Sequence, residues 1–121
     1  MATTALSTDD FAQTIAEDGI VLVDFWAEWC GPCRMFGPIF EQASEKHDDI
    51  TFAKVDTEAQ QELARAAGIV SIPTLMAFRD NILVFSQAGA LPAPALEDLI
   101  GQVRALDMDA VRASIAEASE K

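Results

Sequence analysis

Eight consecutive residues, Ile20 to Ala27, are apolar except for Asp24, and the chain then reads Trp29-Cys30-Gly31-Pro32-Cys33. An apolar run of this length without alternation is the pattern of a strand buried on both faces. Beyond the cysteines, Met35, Phe36, Ile39, Phe40 and Ala43 recur at helical spacing as far as about Lys46. A doubly buried strand feeding straight into an amphipathic helix requires covering layers on both sides of a sheet, which selects an α/β architecture. Pro38 falls inside the helix and is expected to kink it, because its ring removes one backbone donor.

The remaining segments fit the same plan. Ser7 and Thr8 precede Asp9, Asp10, Phe11 and Ile15, a capped short helix with acid in its first turn, stopped by Gly19. Ile50–Asp56 reads as a second strand, and Thr57–Ala67 as a helix ended by Gly68. Thr74–Phe78 and Ile82–Gln87 form a predicted hairpin about Asp80-Asn81, two residues that tolerate left-handed geometry. Leu96, Leu99, Ile100, Val103 and Leu106 mark a final helical stripe. The expected fold is a central mixed β-sheet with helices on both faces, in one domain, since 121 residues are too few for two ordinary ones.

Cys30 lies where the helix begins, so free backbone N–H groups and the positive end of the helix dipole favour its thiolate. The thiolate is the nucleophile of disulfide exchange. Pro32 suits the first turn, where a missing N–H costs nothing. Cys33, one turn along, is near enough to close a short disulfide and expel a bound partner. Two other readings stand beside this one. A zinc site needs about four ligands, and the chain offers this pair and one distant histidine, His47. Plain core packing of two free cysteines is the other, although Gly-Pro and a flanking Trp29 suit it poorly.

Residues 23–35, Val-Asp-Phe-Trp-Ala-Glu-Trp-Cys-Gly-Pro-Cys-Arg-Met, resemble the active-site segment of the thioredoxin family. Ile72-Pro73-Thr74 resembles the family's second signature and Gly89-Ala90 its third, in family order and at family spacing over roughly residues 5–106. The resemblance implies the thioredoxin fold and a thiol–disulfide oxidoreductase, a general protein-disulfide reductase. In it Cys30 attacks, Cys33 resolves, and the Cys30–Cys33 disulfide is the redox centre, with no bound cofactor and no metal. It implies NADPH as the indirect electron source through thioredoxin reductase, and diverse disulfide-containing proteins as substrates. An oxidase or isomerase on the same fold, or a non-catalytic accessory subunit, are the alternatives. The Gly-Pro dipeptide argues against the oxidants, which resemble variants with His between the cysteines.

The resemblance also assigns the surroundings. A buried carboxylate without a partner is costly, and desolvation lifts such a group from about 3.9 by ~3, toward neutrality. Asp24 is thereby implied to exchange a proton with Cys33, and Lys54 to tune Asp24. Pro73 is implied to be cis and to face the disulfide, leaving the backbone of Ile72 free for an extended substrate segment. Trp29, Gly31, Pro32, Ile72 and Gly89 then form a flat apolar surface around Cys30. The chain departs from the family pattern at Arg34 (often Lys), Gly37 (usually Ala), Asp80-Asn81-Ile82 and Ala88. None of these touches the cysteines or Pro73. His47, beside Asp48 and Asp49, reads as a helix C-terminal partner rather than a catalyst.

Charge and hydropathy bound the partners. The net charge is −12, with 12 acidic and 3 basic side chains in residues 1–60. Nucleic acid and anionic membrane both need clustered Lys and Arg, so neither is an expected partner. The first ten residues lack the basic and apolar regions of a secretory leader, and no apolar run approaches the roughly 20 residues of a membrane span. A cytoplasmic monomer is the expectation. Residues 1–106 form the expected thioredoxin domain and 107–121 a helical extension. Met108, Val111, Ile115 and Ala118 form a stripe there, turned roughly 90° from that of Leu96–Leu106 on a continuous helix. A break near Asp107 follows, with Asp107 or Asp109 as cap.

Overall fold

The computed structural model describes residues 2–119. Its elements are β1 (Thr3–Ala5), α1 (Thr8–Ile15), β2 (Ile20–Trp26), α2 (Gly31–Lys46), β3 (Thr51–Asp56), α3 (Gln61–Ala66), β4 (Thr74–Arg79), β5 (Ile82–Ala88), α4 (Ala93–Ala105) and α5 (Met108–Ser119). The five strands form one sheet in the order β1-β3-β2-β4-β5. β1, β3 and β2 pair in parallel, while β2–β4 and β4–β5 are antiparallel. The sheet is mixed, and the apolar run Ile20–Trp26 is its central strand.

Alternation along β2 builds two cores. Leu22 faces one side, where Phe36 and Phe40 of α2 and Leu96 and Ile100 of α4 pack on Phe52, Leu75 and Ala77. Val21, Val23 and Phe25 face the other, covered by Phe11 and Ile15 of α1 and Leu63 of α3. Phe36, Phe40 and Phe52 pack in series, the first pair tilted and the second edge-on, with centroids 5.7 and 5.2 Å apart. Each such ring contributes about 1.5–3 kcal/mol by burial. α1 starts as its sequence requires, Asp10 Oδ1 accepting the Ser7 N–H at 2.7 Å. α2 runs unbroken through Pro38.

Two segments differ from expectation. The helix expected over Thr57–Ala67 is only Gln61–Ala66. Asp56 diverts the chain first: its Oδ1 accepts the Glu58 and Ala59 N–H groups, and its carbonyl the Gln60 N–H. A side-chain acceptor offered to the backbone competes with the helix it precedes. The short strand β1 has no sequence signature. It exists by pairing with β3, extended by Leu6 N–H donating to the Lys54 carbonyl at 2.8 Å.

The hairpin turn places Asp80 and Asn81 at φ 52° and 66°, the geometry that suits right-twisted strands. The helical stripe breaks after α4, and Asp107 Oδ1 caps α5 through the Ala110 N–H at 3.2 Å. Met108 is buried, whereas Ile115 is about half exposed. Only the first turn of α5 reaches the core.

Candidate active site

The site lies at the carboxyl end of β2, where the central strand gives way to α2. Cys30 is the N-cap residue of α2, with extended backbone (φ −88°, ψ 114°). Its Sγ accepts the N–H of Cys33 at 3.2 Å, one of the four N–H groups a helix start leaves without an intrahelical acceptor. Any negative charge that develops on Cys30 sulfur is therefore already solvated by the helix end. Cys30 and Cys33 are joined as a disulfide, with Cα atoms 5.2 Å apart, and both are almost fully buried. Ala27, Trp26 and Ile72 pack around them.

Gly31 and Pro32 occupy the first two positions of α2 and are exposed. Trp29, 67% exposed, stands in the turn that the Cys30 N–H closes onto the Ala27 carbonyl. On the far side of the disulfide, the Ile72–Pro73 peptide is cis. The Ile72 carbonyl oxygen lies 3.6 Å from Cys30 Sγ. Gly89, at φ 107°, donates its N–H to the Pro73 carbonyl at 2.8 Å and so joins the same loop cluster. A residue with a Cβ would be strained at that φ. Cys30, Trp29, Gly31, Pro32, Ile72, Pro73 and Gly89 thus come together from three separate loops, Pro73 being buried and most of the others open to solvent.

Beneath this surface, Asp24 is fully buried, and both its carboxylate oxygens lack a hydrogen-bond partner among the described residues. Burial raises its pKa from 3.8 to about 7, against the opposing pull of the Lys54 ammonium. Asp24 and Lys54 are register partners on β2 and β3. Side chains alternate along strands, so both project to the α2 side of the sheet. The Lys54 Nζ sits 4.7 Å from the centroid of the Trp26 ring.

Several neighbours carry no signal in the sequence. Val70, 96% exposed, lines a shallow trough of about 170 Å³ with Trp29, Ser71 and Ile72. A single valine between Ile69 and Ser71 gives no periodicity to mark it. An open cleft of about 580 Å³ on the other side of Trp29 is lined by Glu28, Arg34, Asp56 and Glu58. Arg34 is held there by its Nε–H to the Glu28 carbonyl at 2.9 Å. His47 lies elsewhere, at the end of α2, with Nε2 2.8 Å from Glu97 and Nδ1 3.1 Å from Arg104. Since Arg104 can only donate, Nδ1 accepts and Nε2 carries the proton. Among the described residues, no group of three or more His, Cys, Asp or Glu is placed to hold a metal ion.

Comparison with known proteins gives a consistent family. The thioredoxin family model matches residues 2–102. The protein named "Putative thioredoxin 2" of Streptomyces coelicolor is 58% identical over 116 residues, covering 96% of this chain and 87% of that protein. The thioredoxin of Alicyclobacillus acidocaldarius is 43% identical over 103 residues, covering 84% and 98%. The crystal structure of a Malassezia sympodialis thioredoxin superposes with a TM-score of 0.77 at 36% identity, covering 87% of this chain and 96% of the other. With the fold, the cysteine pair and these relatives in agreement, the chain belongs to the thioredoxin family and is a thiol–disulfide oxidoreductase whose redox centre is its own cysteine pair.

Proposed function

We propose that this chain reduces disulfides in other proteins by two successive exchanges, with Cys30 as nucleophile and Cys33 as resolving thiol. In the dithiol form, the Cys30 thiolate attacks one sulfur of a target disulfide and releases the other as a thiolate. Cys33 loses its proton to the Asp24 carboxylate and attacks Cys30 sulfur. The second target thiolate departs, the Cys30–Cys33 disulfide remains, and the target has gained two electrons. The observation that carries this reading is the Cys33 N–H donating to Cys30 Sγ at a helix start, beside an open surface.

Asp24 suits its part because a carboxyl with a pKa of about 7 is partly ionised at neutral pH and can both take and return a proton. Lys54 keeps it from rising further. Trp29, Gly31, Pro32, Ile72, Pro73 and Gly89 form the face on which an extended target segment lies, and the backbone of Ile72 pairs with it. Such a face has little to select one small molecule and much to accept a loop-borne disulfide. NADPH, through thioredoxin reductase, restores the dithiol. The chain acts as a monomer in the cytoplasm, residues 1–106 as the working domain and 107–121 as an accessory. No described helix is long and apolar enough to cross a membrane.

The test is insulin reduction followed by turbidity, with NADPH and thioredoxin reductases from several bacteria. Turnover that depends on both NADPH and reductase is expected. Chain that stays inert with every reductase, yet reduces insulin when dithiothreitol is supplied, would retain the exchange chemistry and remove the reductase from the proposal.

A further inference from the structure

Trp26 reads from sequence as a core residue, yet it is only partly buried and touches two functional groups at once. One side of it packs on Ala27, Cys30 and Cys33. Its ring face carries the Lys54 ammonium at 4.7 Å. A cation over an indole face is attracted by the ring's negative quadrupole, more strongly where water is partly excluded. A lysine on a flexible four-carbon stem would otherwise snorkel to solvent.

We infer that Trp26 is a positioning residue of the active site, its indole face holding the Lys54 ammonium beside Asp24. The inference rests on the assignment of Asp24 as the proton acceptor for Cys33, and adds the group that fixes its counter-charge. The cross-strand partners of Asp24 are Lys54 on β3 and Leu75 on β4. Asp56, next along the same face of β3, has Oδ1 engaged by the Glu58 and Ala59 N–H groups. Arg34, in the first turn of α2, is exposed and bonded to the Glu28 carbonyl. Among the described residues Lys54 is thus the charge that opposes the effect of burial on Asp24, and where its head group rests decides how easily Asp24 ionises.

The experiment follows the Asp24 carboxyl carbon by NMR titration in the oxidised protein, where no thiol titrates and neither substrate nor reductase is present. Trp26→Leu is expected to release Lys54 toward solvent and raise the Asp24 midpoint by about 0.5 to 1 pH unit. Lys54→Gln raises it at least as far, and Trp26→Leu in the Lys54→Gln background adds nothing. Trp26→Phe restores most of the parent midpoint, since a smaller ring still offers a face. Incorporation of fluorinated tryptophan keeps the ring's shape while draining its face of negative charge. It is expected to move the midpoint upward in the parent and not in Lys54→Gln, which keeps the test valid should the leucine variant fail to fold. A midpoint that falls in Trp26→Leu would mean the ring acts by excluding water from Asp24, and an equal shift with and without Lys54 would likewise overturn the inference. Either result leaves the role of Asp24 itself intact, because that role is read from the kinetics of Asp24→Asn.

Discussion

The two ends of β2 treat polar groups in opposite ways. Where Ile20 enters the strand, its neighbour across the sheet is Arg79, whose Nη1 donates to the carbonyls of Val103, Arg104 and Leu106 at 2.8–3.2 Å. These carbonyls lie at the end of α4, where intrahelical donors run out, and that of Val103 also accepts the Leu106 N–H at 3.4 Å. Beside them, Asp80 accepts the Gly19 N–H with one oxygen and Arg112 of α5 with the other. Arg104 grips Asp49 with two nitrogens. Four residues further along β2, Asp24 is buried, with neither oxygen hydrogen-bonded among the described residues. One end uses its polar groups to hold helices in place; the other buries a carboxyl two residues before Trp26, which packs on the cysteine pair. The same strand thus carries a bonded polar cluster at one end and, at the other, a buried carboxyl whose pKa burial raises to about 7.

The largest test of the contrast is at the cysteines. Cys33→Ser is expected to accumulate stable mixed disulfides with target proteins, because the attacking thiolate remains and the resolving thiol is gone. Cys30→Ser should trap almost nothing, and both variants should lose steady-state turnover. Gel shifts under non-reducing conditions, reversed by dithiothreitol, distinguish them. Equal trapping by the two would refute the division of roles.

Asp24→Asn removes the buried carboxyl itself. The folded pKa of about 7 lies above the ordinary 3.8, so between these values the folded chain keeps a proton that the unfolded chain has released. The native state then binds more protons than the unfolded one, and stability falls as pH rises through this window, by on the order of 4 kcal/mol at most. Asparagine has no such slope. The variant should therefore match the parent near pH 4 and exceed it in urea melts above pH 7. Exchange pays for that stability: the Cys33-dependent step should slow, chiefly below about pH 8, where the thiol is otherwise protonated. A parent stability flat from pH 4 to 8 would contradict the raised pKa.

Much of this contrast is written in the sequence, but unevenly. Asp24 is conspicuous because it interrupts an apolar run, and Cys30-Gly31-Pro32-Cys33 because it follows that run into a helix. Ile72-Pro73 and Gly89 are weak signals alone and gain meaning only by resemblance, since loop residues meet in space for reasons no local pattern records. Lys54 over Trp26 is a contact between adjacent strands and needs the β2–β3 register to be seen. The paired end is the less legible one. Arg79 is an ordinary arginine at a strand end, and nothing in its neighbourhood tells that it will meet carbonyls 24 to 27 residues away. Asp56, conversely, looks like a harmless last strand residue and shortens the next helix. Side chains that bond backbone override propensity one residue at a time.

At the paired end the next effect is smaller. Arg79→Met keeps the aliphatic stem over the sheet and removes the Nη1 donor that the three carbonyls at the end of α4 share. A loss of about 2 kcal/mol is expected, the scale of hydrogen bonds from a charged donor to partly exposed acceptors. Turnover per folded molecule should be unchanged, since Arg79 lies at the opposite end of the strand. A fall in turnover without a fall in stability would show that the two ends are coupled through β2, and the contrast would lose its force.

The smallest effect is expected from removing α5, by ending the chain after Leu106. The truncation deletes the Asp107 cap, the buried Met108 and the Arg112–Asp80 contact, while the three carbonyls bonded by Arg79 all remain. Met108 is the only buried side chain of α5 among the described residues, and an isolated helix of this length is marginal in water. The Arg112–Asp80 pair is partly exposed, a class of contact that contributes little. Set against the entropy of ordering the helix, these leave a net of about 1 kcal/mol, and a melting temperature lower by a few degrees. Insulin reduction should be retained, because α5 carries no cysteine and lies against the hairpin turn, at the end of the sheet remote from Cys30. Loss of most turnover in a truncated chain that still melts cooperatively would assign α5 to partner recognition, and the paired end of the molecule would then be functional as well.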